Sequence, residues 1–152
     1  MRCFILEETK KELNAYWYDK KLLKSKEEEL EELITKAEKI TKELSDMPKG
    51  SPEIQDRIAQ YVAQIVDLKN EKYDQIIKMY KTKKKIEDKI DLLEQPYRDV
   101  LYYKYIKGLT LTGVANEIEY EYEYTKKLHG IALLKYKNIT PKVTEKHHQN
   151  MF

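Results

Sequence analysis

The chain has 152 residues, of which 41% are apolar and 37% are charged, with a formal net charge of +2 and a single cysteine, Cys3. This length allows one compact domain or a small domain with an extension, and the apolar fraction is too high for a wholly disordered chain. One thiol cannot form an internal disulfide, and no apolar run reaches the ~18 residues of a membrane-spanning helix. We therefore expect a protein of a reducing cytoplasm with no membrane segment.

Residues 1–47 contain neither glycine nor proline, and their apolar residues recur every seven positions. The repeat consists of Tyr16, Leu23, Leu30, Ala37 and Leu44. With Lys and Glu at most other positions, this period predicts a long amphipathic helix with one narrow apolar stripe. Ser25 and Glu28 have the spacing of a capping box, which would restart the helix at that point.

Residues 53–95 also lack glycine and proline and carry an imperfect helical stripe. Ser51 suits the N-cap of this second helix, and Pro52 suits its first helical position. Neither narrow stripe can be buried by its own helix. The pattern therefore predicts an antiparallel hairpin closed by residues 46–51, or pairing with another copy of the chain. We interpret the lysine run at residues 83–85 as a solvated helix face, with a phosphate-contacting patch as the alternative.

After Pro96 the pattern changes to three short helices. Pro96 is predicted to open the first of them, and Gly108 to end it. Thr110 is predicted to cap the second, which leads through a turn at residues 119–121 into the third. The residues predicted to face inward are Val100, Leu101, Tyr105, Leu111, Val114, Ala115, Ile118, Leu128, Ala132, Leu133 and Tyr136. We expect the hydroxyl groups of core tyrosines in this region (Tyr97, Tyr105 and Tyr136) to reach water.

Two helices joined by a short turn, with a small residue in the first, form the pattern of a helix-turn-helix. We therefore predict an all-α fold in three parts. Residues 1–94 form a long helical hairpin for oligomerisation or partner docking, residues 95–139 form a helix-turn-helix domain, and residues 140–152 form a flexible tail.

Several segments resemble known transcription proteins. Residues 95–105 (QPYRDVLYYKY), 108–111 (GLTL), 114–118 (VANEI) and 125–129 (TKKLH) resemble region four of bacterial sigma factors. Residues 47–51 (MPKGS), 56–59 (DRIA) and 65–68 (IVDL) resemble the helical half of phage late-gene transcription regulators of the ArpU/RinA type. The resemblance covers roughly residues 40–138.

The resemblance implies a DNA-binding surface, because the second helix of region four lies in the major groove of promoter DNA. The implied base-facing residues are Tyr122, Glu123, Lys126 and Lys127. The implied phosphate-contacting residues are Lys104, Thr110 and Thr112. A glutamate can accept from the cytosine amino group, and a lysine can donate to guanine, so these residue types suit base recognition.

The chain departs from the sigma pattern around the turn. Gly113 replaces a glutamate that would complete a capping box with Thr110, and Glu119 replaces a glycine at a position that favours positive φ. Glu121 replaces a serine cap, and Thr125 replaces a buried aliphatic residue. Together, the carboxylates at positions 117, 119, 121 and 123 repel DNA phosphates.

The helix-turn-helix pattern and the resemblance together imply a sequence-specific DNA-binding transcription regulator of the phage or prophage late-gene type, which we expect in the cytoplasm of a bacterial host. Its expected partners are double-stranded promoter DNA, RNA polymerase, and a second copy bound through the N-terminal helices. Two alternatives stay open: a phage small terminase subunit, and a protein-interaction module that does not bind DNA.

We do not expect an enzyme, a cofactor or a metal site. No two of the four glycines lie within four residues of each other, so we expect no glycine-rich phosphate-binding loop. Cys3 has no nearby His–Asp context for a nucleophile. His147 and His148 lack partners at metal-binding spacing, and we interpret His129 as a helix-packing or phosphate-side residue.

Overall fold

The computed structural model describes residues 2–45 and 52–139, and all regular structure in these ranges is helical. The helices are α1 (Arg2–Leu13), α2 (Ala15–Ser45), α3 (Pro52–Ile90), α4 (Tyr97–Leu101), α5 (Leu111–Ile118) and α6 (Tyr122–Lys137). A π-helical turn, Tyr102–Ile106, continues α4. No strand occurs in the described residues, and the predicted all-α class is confirmed.

The N-terminal helical stretch is interrupted at a different point from the one predicted. Asn14 separates α1 from α2, although its backbone N–H still donates to the carbonyl of Lys10 at 2.8 Å. The restart predicted at Ser25 does not occur, because α2 passes through this residue without a break. An N-cap needs a residue with non-helical backbone angles, and continuous helical hydrogen bonding leaves none there.

By its contacts, the chain forms two compact units. The multi-helix unit comprises residues 1–16 and 82–152, and the two-helix unit comprises residues 17–81. The predicted division of the chain into three parts, with boundaries at residues 94 and 139, stays a prediction. The predicted N-cap Ser51, the loop at residues 46–51 and the tail at residues 140–152 lie outside the described residues.

In the two-helix unit, polar side chains connect α2 with α3. Lys26 Nζ lies 3.0 Å from Glu71 Oε2, and Gln75 Nε2 donates to the carbonyl of Asp19 at 3.0 Å. Because a later residue of α2 meets an earlier residue of α3, the two helices run antiparallel in this unit. The side chains buried here are Asp19, Leu30, Leu68, Gln75 and Met79.

The multi-helix unit contains a denser core. Its fully buried side chains include Leu13 of α1, Ile90 at the end of α3, and residues of the last three helices. Nine of the eleven residues predicted to face inward in the C-terminal region are among the core: Val100, Leu101, Tyr105, Val114, Ala115, Leu128, Ala132, Leu133 and Tyr136. Close packing around these side chains fixes the position of α6 relative to α4, α5 and α1.

Glu12 of α1 connects three helices of the multi-helix unit. Its Oε1 atom accepts a hydrogen bond from the Tyr136 hydroxyl at 3.2 Å and lies 3.0 Å from Lys89 Nζ. The same ammonium lies 4.1 Å from the centre of the Tyr136 ring. Burial, with the Glu12 carboxylate as a second cause, raises the pKa of the Tyr136 hydroxyl, so this group stays a donor.

The expectation that core tyrosine hydroxyls reach water is wrong for Tyr105 and Tyr136. Both side chains are buried, and both hydroxyls bond to protein groups, His129 for Tyr105 and Glu12 for Tyr136. The physical reason is that a buried hydroxyl without access to water needs a protein partner.

Candidate nucleic-acid interface

The helix preceding the turn is positioned by two backbone signals. Gly108 has φ 75° and therefore leaves the preceding helical segment in a left-handed conformation that suits glycine. Thr110 is extended, and its hydroxyl oxygen accepts a hydrogen bond from the Gly113 N–H at 3.2 Å. The predicted Thr110 cap is therefore confirmed, without the reciprocal glutamate of a capping box.

Gly113 lies where the chain passes close to Leu109. A Cβ atom at position 113 would come 3.3 Å from the Leu109 Cβ, which is tighter than most side-chain contacts. Leu109 itself packs against the core residues Val100, Val114 and Leu128. The departure from the sigma pattern at this position therefore suits local packing, although glycine in a helix costs up to about 1 kcal/mol relative to alanine.

The turn between α5 and α6 has the strained backbone that the sequence predicts. Glu119 has φ 59°, in the left-handed region, and its N–H bonds to the Ala115 carbonyl. Glu121 is extended at the N-cap of α6, and its side chain makes no capping hydrogen bond. Thr125 is fully buried, and its hydroxyl donates to the Glu121 carbonyl at 2.9 Å. This bond lets a polar residue occupy the position of an aliphatic one.

The α6 helix has one buried and one exposed face. Its buried residues are Thr125, Leu128, His129, Ala132, Leu133 and Tyr136. At 100° per residue, these side chains occupy a single arc that packs within the multi-helix unit. The opposite arc is exposed and includes Glu123, Lys127, Ile131 and Leu134. We call this arc the outer flank of α6.

The base-facing residues implied by the resemblance are all exposed. Glu123 and Lys127 are one turn apart near the middle of the outer flank. Lys126 lies at its edge, next to the buried arc, and Tyr122 lies on the side of the buried arc but is exposed in the first turn of α6. Side chains four positions apart on a helix are neighbours, so Glu123 and Lys127 form one pair and Tyr122 and Lys126 another.

The implied phosphate-contacting residues lie on the elements before α6. Thr110 and Thr112 are exposed at the start of α5. The Thr110 cap uses only a lone pair of its oxygen, so the hydroxyl proton can still donate to a phosphate. Lys104 is half-buried, with its ammonium 5.6 Å from the centre of the Tyr105 ring.

His129 is a packing residue in this structure. It is buried, its ring stacks on Tyr105 with 5.8 Å between centroids, and its Nε2 lies 2.8 Å from the Tyr105 hydroxyl. Burial, assisted by the positive charges of Lys104 and Lys10, lowers the pKa of His129 to about 4. Burial and Glu7 raise the pKa of Tyr105 to about 12. Both groups are therefore neutral at physiological pH.

The charges around α6 are divided between its two ends. The exposed carboxylates are Glu117, Glu119, Glu121 and Glu123, which lie at the end of α5, in the turn and in the first turn of α6. The exposed ammonium groups of α6 are Lys126, Lys127, Lys135 and Lys137. A DNA backbone would therefore be attracted along the body of α6 and repelled at its N-terminus.

Apolar groups on the exposed side of α6 were missing from the predicted site. Tyr124, Ile131 and Leu134 are exposed, and Tyr120 packs edge-to-face on Tyr124 with 5.3 Å between ring centroids. Tyr122, next to them in the chain, is exposed as well. Ile131 and Leu134 had no distinguishing signal, because each also fits an inward-facing helical stripe.

No family model, curated protein or solved structure matches this chain. Over residues 2–45 and 52–139, no group of three or more His, Cys, Asp and Glu residues is arranged to hold a metal ion. Over the same residues, none of the helices combines the length and apolar character needed to cross a bilayer.

Proposed function

We propose that this chain is a sequence-specific DNA-binding transcription regulator that acts on promoter DNA in a bacterial host, as late-gene regulators of phages and prophages do. The observation that carries the proposal is the exposed outer flank of α6, held beyond a short turn from α5. A recognition helix must present such an uncovered face to enter the major groove.

Lysine–phosphate attraction supplies most of the binding free energy in this proposal. Lys126 and Lys127 are exposed on α6, and Thr110 and Thr112 are exposed at the start of α5. Contacts of this kind set the position of a protein on the duplex without reading its sequence. Glu123, in the first turn of α6, is the proposed reader of a cytosine amino group.

The expected partners of the long helices are RNA polymerase and a second copy of the chain. The long helices α2 and α3 would dock on RNA polymerase or pair with a second copy, because their length exceeds what a DNA-binding domain requires. At 1.5 Å per residue, the 39 residues of α3 extend about 58 Å. No catalytic activity, cofactor or metal ion is part of the proposal.

The decisive experiment replaces both exposed lysines, as Lys126→Ala with Lys127→Ala, and measures binding to genomic fragments selected by the wild-type protein. Removing two ammonium groups from the DNA-facing surface should weaken binding at least tenfold in low salt and reduce the slope of log affinity against log salt, because both groups attract the phosphates in addition to facing the bases. A matched control, Lys36→Ala with Lys39→Ala on α2, removes the same charge at two other exposed positions and should bind as the wild type does.

Equal losses in the test and control variants would mean that net charge alone attracts DNA, and would contradict recognition by α6. An unchanged salt slope in the α6 variant would contradict it as well. Circular dichroism of both variants checks that the helices are intact.

A protein-interaction module that does not bind DNA is the second candidate, because Tyr124, Ile131 and Leu134 expose apolar surface on α6. Exposed apolar groups rimmed by charges are typical of protein-binding surfaces. This candidate predicts that no genomic fragment is retained at low salt and that Ile131→Ala with Leu134→Ala abolishes capture of RNA polymerase or another host protein.

A further inference from the structure

One face of α3 in the two-helix unit is apolar and exposed. Six large side chains on it are between 36% and 63% exposed: Ile58, Val62, Val66, Tyr73, Ile77 and Tyr80. We call them the α3 stripe. At 100° per residue they lie within an arc of about 100°. The buried residues Leu68, Gln75 and Met79 are on another face, centred about 130° away, so α3 has two apolar faces and α2 covers one.

The exposed area of the α3 stripe is large enough for a protein interface. Summed over the six side chains, it is roughly 600 Å², given ~150–250 Å² for a whole aromatic side chain. Monomeric proteins seldom expose a contiguous apolar patch larger than this, and a stable interface buries about 800 Å² per partner. The α3 stripe together with its polar rim therefore has the area that a stable dimer needs.

The residues of the α3 stripe have nearly the same spacing along the helix whether they are read from its N-terminus or from its C-terminus. Its first half carries Ile58, Val62 and Val66, and its second half carries Tyr73, Ile77 and Tyr80. When a second copy is laid antiparallel, position 58 faces 80, 62 faces 77, and 66 faces 73. The pairs 62/77 and 66/73 are centred between Lys69 and Asn70, and the pair 58/80 is centred half a residue earlier, on Lys69. Each pair places a smaller or aliphatic side chain opposite a larger one. Such a surface is complementary to itself, as a two-fold interface requires.

We propose that the α3 stripe is a homodimer interface in which the α3 helices of two copies pack antiparallel about a two-fold axis beside Lys69 and Asn70. The rim charges fit this register. Asp56 and Lys81 are exposed and lie on the same side of the stripe, just beyond its edge. Their midpoint is one residue from the centre between Lys69 and Asn70, an offset that a lysine side chain can span. In the dimer, Asp56 of each copy faces Lys81 of the other. Lys69 lies beside the axis, where its aliphatic stem packs and its ammonium reaches solvent.

The first test is sedimentation equilibrium of the full chain without DNA. A two-fold dimer gives a mass of about 37 kDa, twice the 18.3 kDa of the chain. The variant Val62→Glu with Ile77→Glu places carboxylates in the interface and should weaken association at least a hundredfold. The control Gln60→Glu with Lys85→Gln makes the same change in net charge on the opposite, exposed side of α3 and should leave the dimer intact.

A monomeric wild-type chain at high concentration would overturn the proposal, because the stripe would then be covered by another segment or another partner. A ring of many copies would also overturn it, since a two-fold interface closes at two. Dissociation of the control to the same extent as the test variant would do so too. Circular dichroism distinguishes lost association from lost helix.

The second test determines the direction of pairing by oxidative cross-linking in a Cys3→Ser background. Lys69→Cys places thiols of the two copies beside the two-fold axis, so a covalent dimer should form rapidly. Ile58→Cys places the two thiols about 33 Å apart along antiparallel helices, so this variant should form at least tenfold less covalent dimer. Equal cross-linking of both variants indicates parallel helices and would overturn the proposed register. Neither test involves DNA, so each outcome is independent of the proposed function.

Discussion

The two units of this chain bury their side chains to different extents. All of the largest fully buried side chains among the described residues belong to the multi-helix unit: Leu13, Ile90, Val100, Leu101, Val114, Thr125, Leu133 and Tyr136. In the two-helix unit, the buried residues retain 4–8% exposure and two of the five, Asp19 and Gln75, are polar.

The difference follows from the number of helices in each unit. A helix in a bundle is covered on several sides, whereas a helix with one neighbour can bury only one narrow stripe. The multi-helix unit therefore has a core that is complete in itself. The two-helix unit leaves a second apolar face of α3 exposed, and this is the physical basis for expecting another copy there.

The largest difference between the two units is expected from a substitution in α1, which belongs to the core of the multi-helix unit. Leu13→Ala removes a fully buried side chain and should destabilise the multi-helix unit by about 3 kcal/mol. Leu33→Ala, at a half-buried position of α2, should cost less than about 1 kcal/mol. Hydrogen exchange of the α6 amides measures the first effect directly. Unchanged α6 protection in Leu13→Ala would show that α1 is not part of this core.

A smaller effect is expected from the buried histidine. His129 has a folded-state pKa of about 4, below its ordinary value of 6.5, so the unfolded chain binds a proton that the folded chain does not. The neutral imidazole of His129 therefore makes its full contribution to the free energy of unfolding above about pH 6.5, and this contribution decreases as the pH falls toward 4. Between pH 7 and pH 5 the loss should be about 2 kcal/mol.

Urea denaturation at the two pH values checks this expectation, with His129→Gln as the control that cannot titrate. Carboxylates contribute to the pH dependence of both proteins, so the difference between them isolates the imidazole. If the two proteins lose the same stability on acidification, the histidine is not buried as described.

The smallest expected effect is at the turn. Glu119 has a positive φ that a non-glycine residue adopts at a cost, so Glu119→Gly should stabilise the multi-helix unit by about 0.5–1 kcal/mol. Glu117→Gln removes an exposed carboxylate at a helical position and should change stability little. Thermal denaturation compares the two variants. Equal melting temperatures of the two variants would contradict a destabilising effect of the positive φ at Glu119.

Several features of the fold were predictable because they depend on neighbouring residues. The all-α class and the positions of Pro52, Gly108 and Thr110 follow from glycine and proline placement and from capping chemistry. The strained backbone at Glu119 was also predictable, since its position in the turn favours a left-handed residue.

Other features were not predictable from local patterns. The sequence did not distinguish a restart at Ser25 from a break at Asn14, because both residues are compatible with helix ends. Tyr136 and Glu12 are 124 positions apart, so no local pattern reveals their hydrogen bond. In the candidate site, the exposed lysines of α6 were predicted, whereas the exposed Ile131 and Leu134 were not.

The amino-acid sequence alone determined which segments are helical, where the short C-terminal helices begin, and which of their residues face inward. These properties arise from hydrogen bonding and periodicity over a few residues. Only the tertiary structure decided that α1 packs with the C-terminal helices, that His129 and the core tyrosines pair with protein groups, and which face of α3 stays exposed. These outcomes depend on contacts between residues that are distant along the chain, and helical periodicity does not specify which apolar face meets which neighbour.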